Sequence, residues 1–357
     1  AIAARLLNPG VPVIARARSA SVAANMASFG TDHIINPFER FAEHLAMAVA
    51  APERFRLIEL LTSLPETPIP EIHRPPAGRW ILCGFGRFGH AIASRLQTTG
   101  IHLTIIDPNA PDADHTYIGD GTEASTLTQA GIANASGIIA GTDNDVNNLS
   151  IAVTAHELNP RLFVVARQNH CRNSALFEAY NADFTMVHSQ IVAQESVAIL
   201  TAPLLARFLE KLRDHDEIWS HQLVERLQAL CAGLTPVVWD IRLNISEAPA
   251  AYKALMHDQK FSLSQILRDG TDRSMPLNAV TLLIERGSQI FLLPNDTFEL
   301  IAGDQLLLAS PLDAQRNFEF TVRNANELDY VLTGSEESGS WLWQRLSGKK
   351  STSAVHS

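Results

Sequence analysis

The sequence has few cysteines, no long apolar run and no excess of basic residues, and each shortage excludes a class of protein. Its three cysteines, at positions 83, 171 and 231 of 357, lack the spacing of a disulfide framework or a metal site and are typical of a reducing, cytoplasmic compartment. The most apolar stretch, residues 197–209, is shorter than the ~20 residues of a membrane helix. A formal net charge of −10 argues against a nucleic-acid partner.

What the sequence does contain is an internal repeat, because residues 1–61 recur without a gap 151 positions later. Sixteen of the 61 pairs are identical, including Asp32 with Asp183, where random composition gives about four. Residues 78–150 precede the second copy as the first half of a complete domain, whereas nothing precedes the first copy. We therefore expect the sequence to open in the middle of a domain and the natural chain to extend further toward the N-terminus.

The order of apolar runs predicts the fold class. Between residues 79 and 167, runs that suit buried parallel strands alternate with helical segments, which predicts a doubly wound parallel sheet. Between residues 237 and 308, short strands are separated by glycine and proline turns around one helix, which predicts a small separate module. The fold class is therefore α/β: a Rossmann-like doubly wound parallel sheet, preceded by half of a second such domain and followed by a small α+β module.

These patterns also predict six segments along the chain. In order, they are the C-terminal half of a first domain (1–61), a proline-rich extended linker (62–78), a complete Rossmann-like nucleotide-binding domain (79–200), crossover or dimerisation helices (201–231), the α+β module (232–316) and a partly disordered tail (317–357).

A glycine-rich turn carries the clearest chemical signal. It has the pattern GxGxxG, follows an apolar strand and opens a helix, as the dinucleotide-binding motif requires. The first glycine makes the tight turn, the second lets the backbone approach a pyrophosphate, and the third allows close helix packing. The residues are Gly84, Phe85, Gly86, Arg87, Phe88 and Gly89. The alternative is a degenerate Rossmann half that keeps the turn and binds nothing.

An acidic residue ends the next strand, 23 positions after the first glycine. Asp107 can accept hydrogen bonds from ribose hydroxyls and would repel a 2′-phosphate. This arrangement favours NAD(H) or an AMP- or ATP-type adenine nucleotide over NADP(H).

Three further groups follow predicted strands at the edge of the sheet where ligands of open α/β folds bind. Asp120, Gly121 and Thr122 fit the adenine–ribose side of a pocket or, equally well, a turn with a helix N-cap at Thr122. Thr142 and Asp143 cap the next helix and are candidates for ligand contact. Arg167 can neutralise a phosphate or pair with an aspartate as structure. We find no residues in the spacing of a catalytic site or a metal site.

Together these residues resemble the RCK/KTN (TrkA-N/TrkA-C type) family, the regulator-of-K⁺-conductance domains of potassium channels and Trk-type transporter subunits. The resemblance covers residues 79–205 and rests on the glycine turn, on Ile106-Asp107-Pro108, on Gly119-Asp120-Gly121-Thr122 and on Thr142-Asp143-Asn144-Asp145. Residues 234–310 resemble the small C-terminal module of the family. One departure is that only 11 residues separate Asp107 from Gly119, so the usual helix there is absent or a single turn.

The resemblance implies a tandem arrangement, as in the cytoplasmic part of a ligand-gated bacterial potassium channel. It implies a non-enzymatic gating domain at the cytoplasmic face of the cell membrane, a homodimer or higher ring, and a membrane pore domain N-terminal in the same natural chain. Two alternatives remain open. One is an NAD-dependent oxidoreductase of the Rossmann class, and the other is a structural ring component with an empty or permanently filled pocket.

Overall fold

The computed structural model describes residues 2–69, 73–110 and 114–334, and the chain divides into two compact units. The first unit contains residues 1–62, 70–200 and 212–224, and the second contains residues 63–69, 201–211 and 225–357. Within the described ranges, no helix is both long enough and apolar enough to cross a membrane. The six segments predicted from the sequence remain a proposal, because the division into units follows other boundaries.

Residues 2–62 form a half-domain of two short parallel strands and four helices. The elements are α1 (Ile2–Leu7), β1 (Ile14–Arg16), α2 (Ala20–Ser28), β2 (His33–Ile35), α3 (Pro37–Ala50) and α4 (Pro52–Thr62). The start of α3 is encoded locally: the Asn36 side chain accepts the N–H of Phe38 at 3.2 Å, and Pro37 occupies the first helical position, where no N–H is needed.

The rest of the first unit is a complete Rossmann-like domain, as predicted. Its elements are β3 (Arg79–Cys83), α5 (Arg87–Leu96), β4 (His102–Ile106), β5 (Thr116–Tyr117), α6 (Ala124–Gln129), β6 (Gly137–Ala140), α7 (Asp145–Leu158), β7 (Phe163–Gln168), α8 (Ser174–Tyr180), β8 (Phe184–Val187) and α9 (His188–Thr201). The strands form one parallel sheet in the order β5-β4-β3-β6-β7-β8. The order reverses between β3 and β6, where such sheets open a ligand crevice.

The two copies of the repeat have the same local structure. Ile14 of β1 lies opposite His33 of β2, and the residues 151 positions later, Val165 and Phe184, are paired in the same way between β7 and β8. The helices α3 and α9 also begin and end at equivalent positions. The prediction that half of a second Rossmann-like domain precedes the complete one is therefore confirmed.

The helix α3 of the first copy packs against α5 of the complete domain. Phe38, Phe41 and Leu45 are buried in one cluster with Phe88 and Ile92. A second apolar cluster, built largely from β6, β7, α6 and α7, contains the side chains of β3 that alternate with those of the first cluster. Both clusters include side chains from the central strands, so the central sheet is buried on both faces, which explains the unbroken apolar runs of its strands.

The second unit contains an antiparallel sheet of four strands in the order β11-β10-β12-β9. The helices α10 (Pro203–Lys211) and α11 (Glu217–Leu230, which spans the unit boundary) come before β9 (Val237–Arg242), α12 (Pro249–Met256), α13 (Leu263–Ile266), β10 (Val280–Arg286), β11 (Gln289–Leu292), β12 (Gln305–Ser310), α14 (Leu312–Arg323) and α15 (Ala325–Thr333). Part of the predicted linker belongs to this unit, since the N–H of Glu66 donates to the carbonyl of Thr235 at 3.0 Å.

The segment predicted as a partly disordered tail, residues 317–357, begins inside the helix α14. The helices α14 and α15 continue to Thr333 and bury Phe318, Val322, Leu328 and Leu332 in the core of the second unit. Within each helix the two residues are four positions apart, a spacing that favours a buried helix face. The remainder of the predicted tail, residues 335–357, lies outside the described residues.

Candidate functional site

In the glycine turn between β3 and α5, the backbone conformation and the close packing of the fold require glycine at two positions. Gly84 has a φ of +95°, and a Cβ there would lie 3.1 Å from the backbone of Gly141. A Cβ at Gly89 would lie 2.2 Å from the carbonyl oxygen of Gly84. Any side chain at either position would force the turn, α5 or the end of β6 to move.

Gly86 differs from both. It is the N-cap of α5, its φ of −77° suits any residue, and a Cβ there would meet no atom within 4 Å. The folded chain therefore gives no steric reason for glycine at this position. A bound phosphate would supply such a reason. A side chain here would project from the first turn of α5, where unpaired N–H groups attract phosphates.

Asp107 has a structural role in addition to the predicted one. Its Oδ2 accepts the N–H of Phe85 at 2.6 Å, and its Oδ1 accepts the N–H of Asn109 at 2.8 Å. The carboxylate thus fixes the glycine turn from the end of β4. A carboxylate has about four acceptor positions, so roughly half of them remain for ribose hydroxyls.

The other residues of the glycine turn divide by exposure. Phe88 is 1% exposed and packs in the core, so only its backbone can meet a ligand. Phe85 is half-buried, with its ring centroid 4.0 Å from that of His90. Arg87 is exposed in the first turn of α5, where a phosphate would lie.

Asp120, Gly121 and Thr122 form a turn beside β3. Asp120 is exposed, and its Oδ1 accepts the N–H of Thr122 at 2.9 Å. Gly121 is buried, and a Cβ there would lie 2.8 Å from Sγ of Cys83. The N-cap of α6 is Glu123, so the alternative role of Thr122 as an N-cap is wrong. In the segment after Asp107, residues 107–110 and 114–119 contain no helix, in accord with the short spacing in the sequence.

The sequence predicts that Thr142 caps α7, and this prediction is wrong. The cap is Asn144, whose side chain accepts the N–H groups of Val146 and Asn147. Thr142 instead donates both its N–H and its hydroxyl to Oδ1 of Asn148, at 2.8 and 2.7 Å. Asp143 is exposed at the start of this loop.

Asn148 is a residue whose role sequence reasoning missed. It is fully buried, and its Nδ2 donates to the carbonyls of Thr142 and Arg167 at 3.0 and 2.7 Å. One side chain thereby joins the carboxyl ends of β6 and β7. A polar residue on an otherwise buried helix face was the available signal.

Asp145, also missed, fixes the loop after β7. Burial alone would raise the pKa of this carboxyl, but the N–H groups of Asn169 and His170 and the side chain of Asn173 hold it below its ordinary value. Asp145 therefore stays charged in a structural role. Across the described ranges, no cluster of three or more His, Cys, Asp or Glu side chains could hold a metal ion.

Arg167 lies under two aromatic rings. Its guanidinium carbon is 5.0 Å from the ring centroid of Phe38 and 5.4 Å from that of Phe88. Nη1 donates to the carbonyl of Gly141 at 3.2 Å, whereas Nε is buried without a partner in the protein. Burial, with Arg87 adding and Asp143 opposing, lowers the pKa of Arg167 to about 10. The cation is thus held beside the glycine turn with donor capacity to spare.

The predicted residues therefore converge on one edge of the sheet. The glycine turn ends β3, Asp107 ends β4, Thr142 and Asp143 follow β6, and Arg167 lies near the end of β7. These are the carboxyl ends of the strands at which the sheet order reverses. The fold and this edge define a Rossmann-like domain with a dinucleotide-type glycine turn.

Comparison with known proteins gives the family of this domain. Residues 80–188 match the TrkA-N domain model. The chain is 28% identical over 142 residues to potassium channel protein 1 of Methanocaldococcus jannaschii, a match that covers 37% of this chain and 43% of that one. It is 33% identical over 99 residues to the glutathione-regulated potassium-efflux protein KefC of an Enterobacter species, covering 25% of this chain and 16% of that protein.

Among solved structures, the GsuK channel bound to NAD aligns with 87% of this chain and 62% of its own, at 18% identity and a TM-score of 0.45. The match of residues 80–188 to the TrkA-N domain model confirms the resemblance of this domain to the RCK/KTN family. The chain spans less than half the length of the two curated relatives described above.

Proposed function

We propose that this chain is a cytoplasmic regulatory module that binds NAD(H) or an adenine nucleotide and controls potassium movement through a membrane pore. The observation that carries the proposal is the open space at Gly86. The fold tolerates a side chain there, so the absence of one is explained by a ligand close to the first turn of α5.

The residues around that turn support an adenosine-type ligand. The first turn of α5 and Arg87 offer donors and positive charge to phosphates. Asp107 offers its remaining acceptor positions to ribose hydroxyls and repels a 2′-phosphate. We expect Asp120, Gly121 and Thr122 to border the ribose and adenine, and Thr142, Asp143 and Arg167 to border the phosphates.

The potassium assignment rests on the relatives. They are a potassium channel protein and a potassium-efflux system protein. We propose by this analogy that a pore domain lies N-terminal in the same natural chain and that nucleotide binding changes how the domains pack. Such a ligand acts only through its different affinities for two arrangements.

We also propose that the chain self-associates as a dimer or higher ring. From the sequence alone, the apolar helices of residues 41–61 and 190–231 indicate more apolar surface than one domain face normally needs. The structure removes part of it, because α3 and α4 are covered within the chain. Large apolar side chains remain exposed on α9 and α11, namely Val197 (51%), Leu200 (67%) and Ile218 (68%), and a partner copy would cover them.

The test is the nucleotide affinity of Gly86→Val and Gly86→Ala by calorimetry with NAD, NADH, AMP and ATP. We expect wild type to bind at least one of them, Gly86→Ala to bind more weakly and Gly86→Val to lose at least tenfold in affinity. Melting temperatures without ligand should stay close to wild type, because the new Cβ meets no atom. Equal affinity of wild type and Gly86→Val would remove the site.

A second measurement addresses turnover. Among the described residues, the proposed site has groups for binding but no acid or base placed to serve a substrate carbonyl. We expect no steady NADH oxidation with small carbonyl substrates above a Gly86→Val control. Activity above that control would favour the oxidoreductase alternative.

A further inference from the structure

A cavity of about 510 Å³ lies in the first unit, at the end of the sheet opposite to the glycine turn. Its lining includes Pro160 before β7, Asn181 after α8 and Asp183 before β8. His156, near the end of α7, also lines it. None of these residues belongs to the nucleotide site described above.

In the first copy of the repeat, the side chain of Arg5 occupies the place that corresponds to this cavity. Arg5, near the end of α1, donates from Nε and Nη2 to the carbonyl of Gly30, at 3.0 and 2.6 Å. Its Nη1 donates to the carbonyl of Pro9, and Nη2 contacts Oδ2 of Asp32 at 2.5 Å. Two carbonyls and one carboxylate therefore surround a guanidinium group.

The second copy has the same acceptors without that guanidinium. Pro160, Asn181 and Asp183 are the counterparts of Pro9, Gly30 and Asp32, and His156 replaces Arg5. The backbone is alike: Gly30 and Asn181 both have a positive φ, +72° and +55°.

The carboxylates are anchored alike as well. Asp32 accepts the N–H of Val13 at 2.7 Å, and Asp183 accepts that of Val164 at 2.8 Å. Within the described part of the chain, no hydrogen bond reaches the carbonyl of Pro160 or Asn181. The imidazole Nδ1 of His73 lies 3.7 Å from Oδ1 of Asp183.

We propose that this cavity binds a guanidinium group supplied from outside the chain. The group would donate to the carbonyls of Pro160 and Asn181 and pair with Asp183, as Arg5 does with the equivalent atoms. A planar guanidinium has five donors in a fixed fork, and this geometry suits two carbonyls and a carboxylate better than an ammonium ion does.

The other charges on the wall indicate the rest of the ligand. Arg74 and Arg161 also line the cavity. Arg74 is paired with Glu53, whereas Arg161 is exposed. A ligand with a carboxylate at its far end would be attracted to Arg161, so a free guanidinium amino acid such as L-arginine fits both ends.

Calorimetry with four probes tests the ligand chemistry: L-arginine, its neutral isostere L-citrulline, agmatine, which lacks the carboxylate, and N-acetyl-L-arginine amide. We expect L-arginine to bind at least tenfold more tightly than L-citrulline and more tightly than agmatine. Tighter binding of the amide than of L-arginine would identify a protein side chain as the source of the guanidinium. Equal binding of L-arginine and L-citrulline would overturn the proposal.

The variant His156→Arg tests the location, because it restores the residue found in the first copy. The introduced guanidinium should occupy the cavity, raise the melting temperature and abolish the response to L-arginine. The control is His102→Arg, at an exposed position on β4, which should bind L-arginine as wild type does. Retained L-arginine binding by a folded His156→Arg protein would overturn the proposal, and should that variant not fold, the four probes on wild type still decide it.

Discussion

The two copies of the repeat have one backbone pattern in two different surroundings. In the second copy, β7 lies between β6 and β8, and Val165 and Ala166 are fully buried. In the first copy, β1 pairs only with β2 among the described strands, and the equivalent residues Ile14 and Ala15 are half-exposed. A shared sequence pattern therefore sets the path of the chain, while the neighbouring strands set how deeply each residue is buried.

The comparison also shows how equivalent positions acquire different chemistry. Arg16 is exposed, whereas the guanidinium of its counterpart Arg167 contacts two aromatic rings beside the glycine turn. One of those rings is Phe38, which comes from the first copy. The half-domain thus completes the surroundings of a residue in the proposed nucleotide site of the complete domain.

The largest expected effect comes from removing that ring. Phe38 is 6% exposed and contacts Phe88, His188 and Arg167. Because Phe38→Ala leaves a cavity between α3 and α5, we expect it to lower the free energy of unfolding by about 3–5 kcal/mol. Urea unfolding followed by circular dichroism measures this loss.

The matched control for Phe38 is its counterpart, Ser189. This residue is exposed at the start of α9, so Ser189→Ala should change the stability by less than about 0.5 kcal/mol. Similar losses in the two variants would mean that the packing of α3 on α5 contributes little.

A smaller effect concerns pH and His188, whose counterpart is Pro37. Burial, reinforced by Arg167, lowers the pKa of His188 from 6.5 to about 4. Below pH 6.5, His188 therefore binds a proton in the unfolded chain but not in the folded chain. The free energy of unfolding consequently falls as the pH falls from 6.5 toward 4. The loss should reach at most about 3 kcal/mol.

The variant His188→Gln isolates this contribution, because glutamine stays neutral. We expect the stability difference between pH 7.5 and pH 4.5 to be smaller in His188→Gln than in wild type. The exposed residue His102 supplies the control, since His102→Gln should follow the wild-type profile. An unchanged pH dependence in His188→Gln would show that His188 titrates normally in the folded protein.

How much the sequence predicts depends on the range of the interaction. The glycine turn, the doubly wound parallel sheet and the repeat follow from local patterns, and the structure has all three. The bond between Asp107 and Phe85, the junction at Asn148 and the ring of Phe38 over Arg167 join residues that are distant in sequence. Such contacts carry no periodic signal. The helix α15 was missed for a different reason, because its short apolar pattern precedes a Gly- and Ser-rich segment.

The smallest predicted effect is a difference in nucleotide affinity between a variant of Arg167 and the same variant of its counterpart, Arg16. Met keeps the apolar contact with Phe38 and Phe88 but removes the charge, and a buried cation with an unpartnered Nε contributes little to folding. We therefore expect Arg167→Met to keep its melting temperature while its nucleotide affinity falls roughly tenfold, about 1.4 kcal/mol. Arg16→Met, at the exposed equivalent position, should bind as wild type does. Equal affinities in both variants would show that Arg167 serves the packing of Phe38 alone and leaves phosphate binding to the first turn of α5.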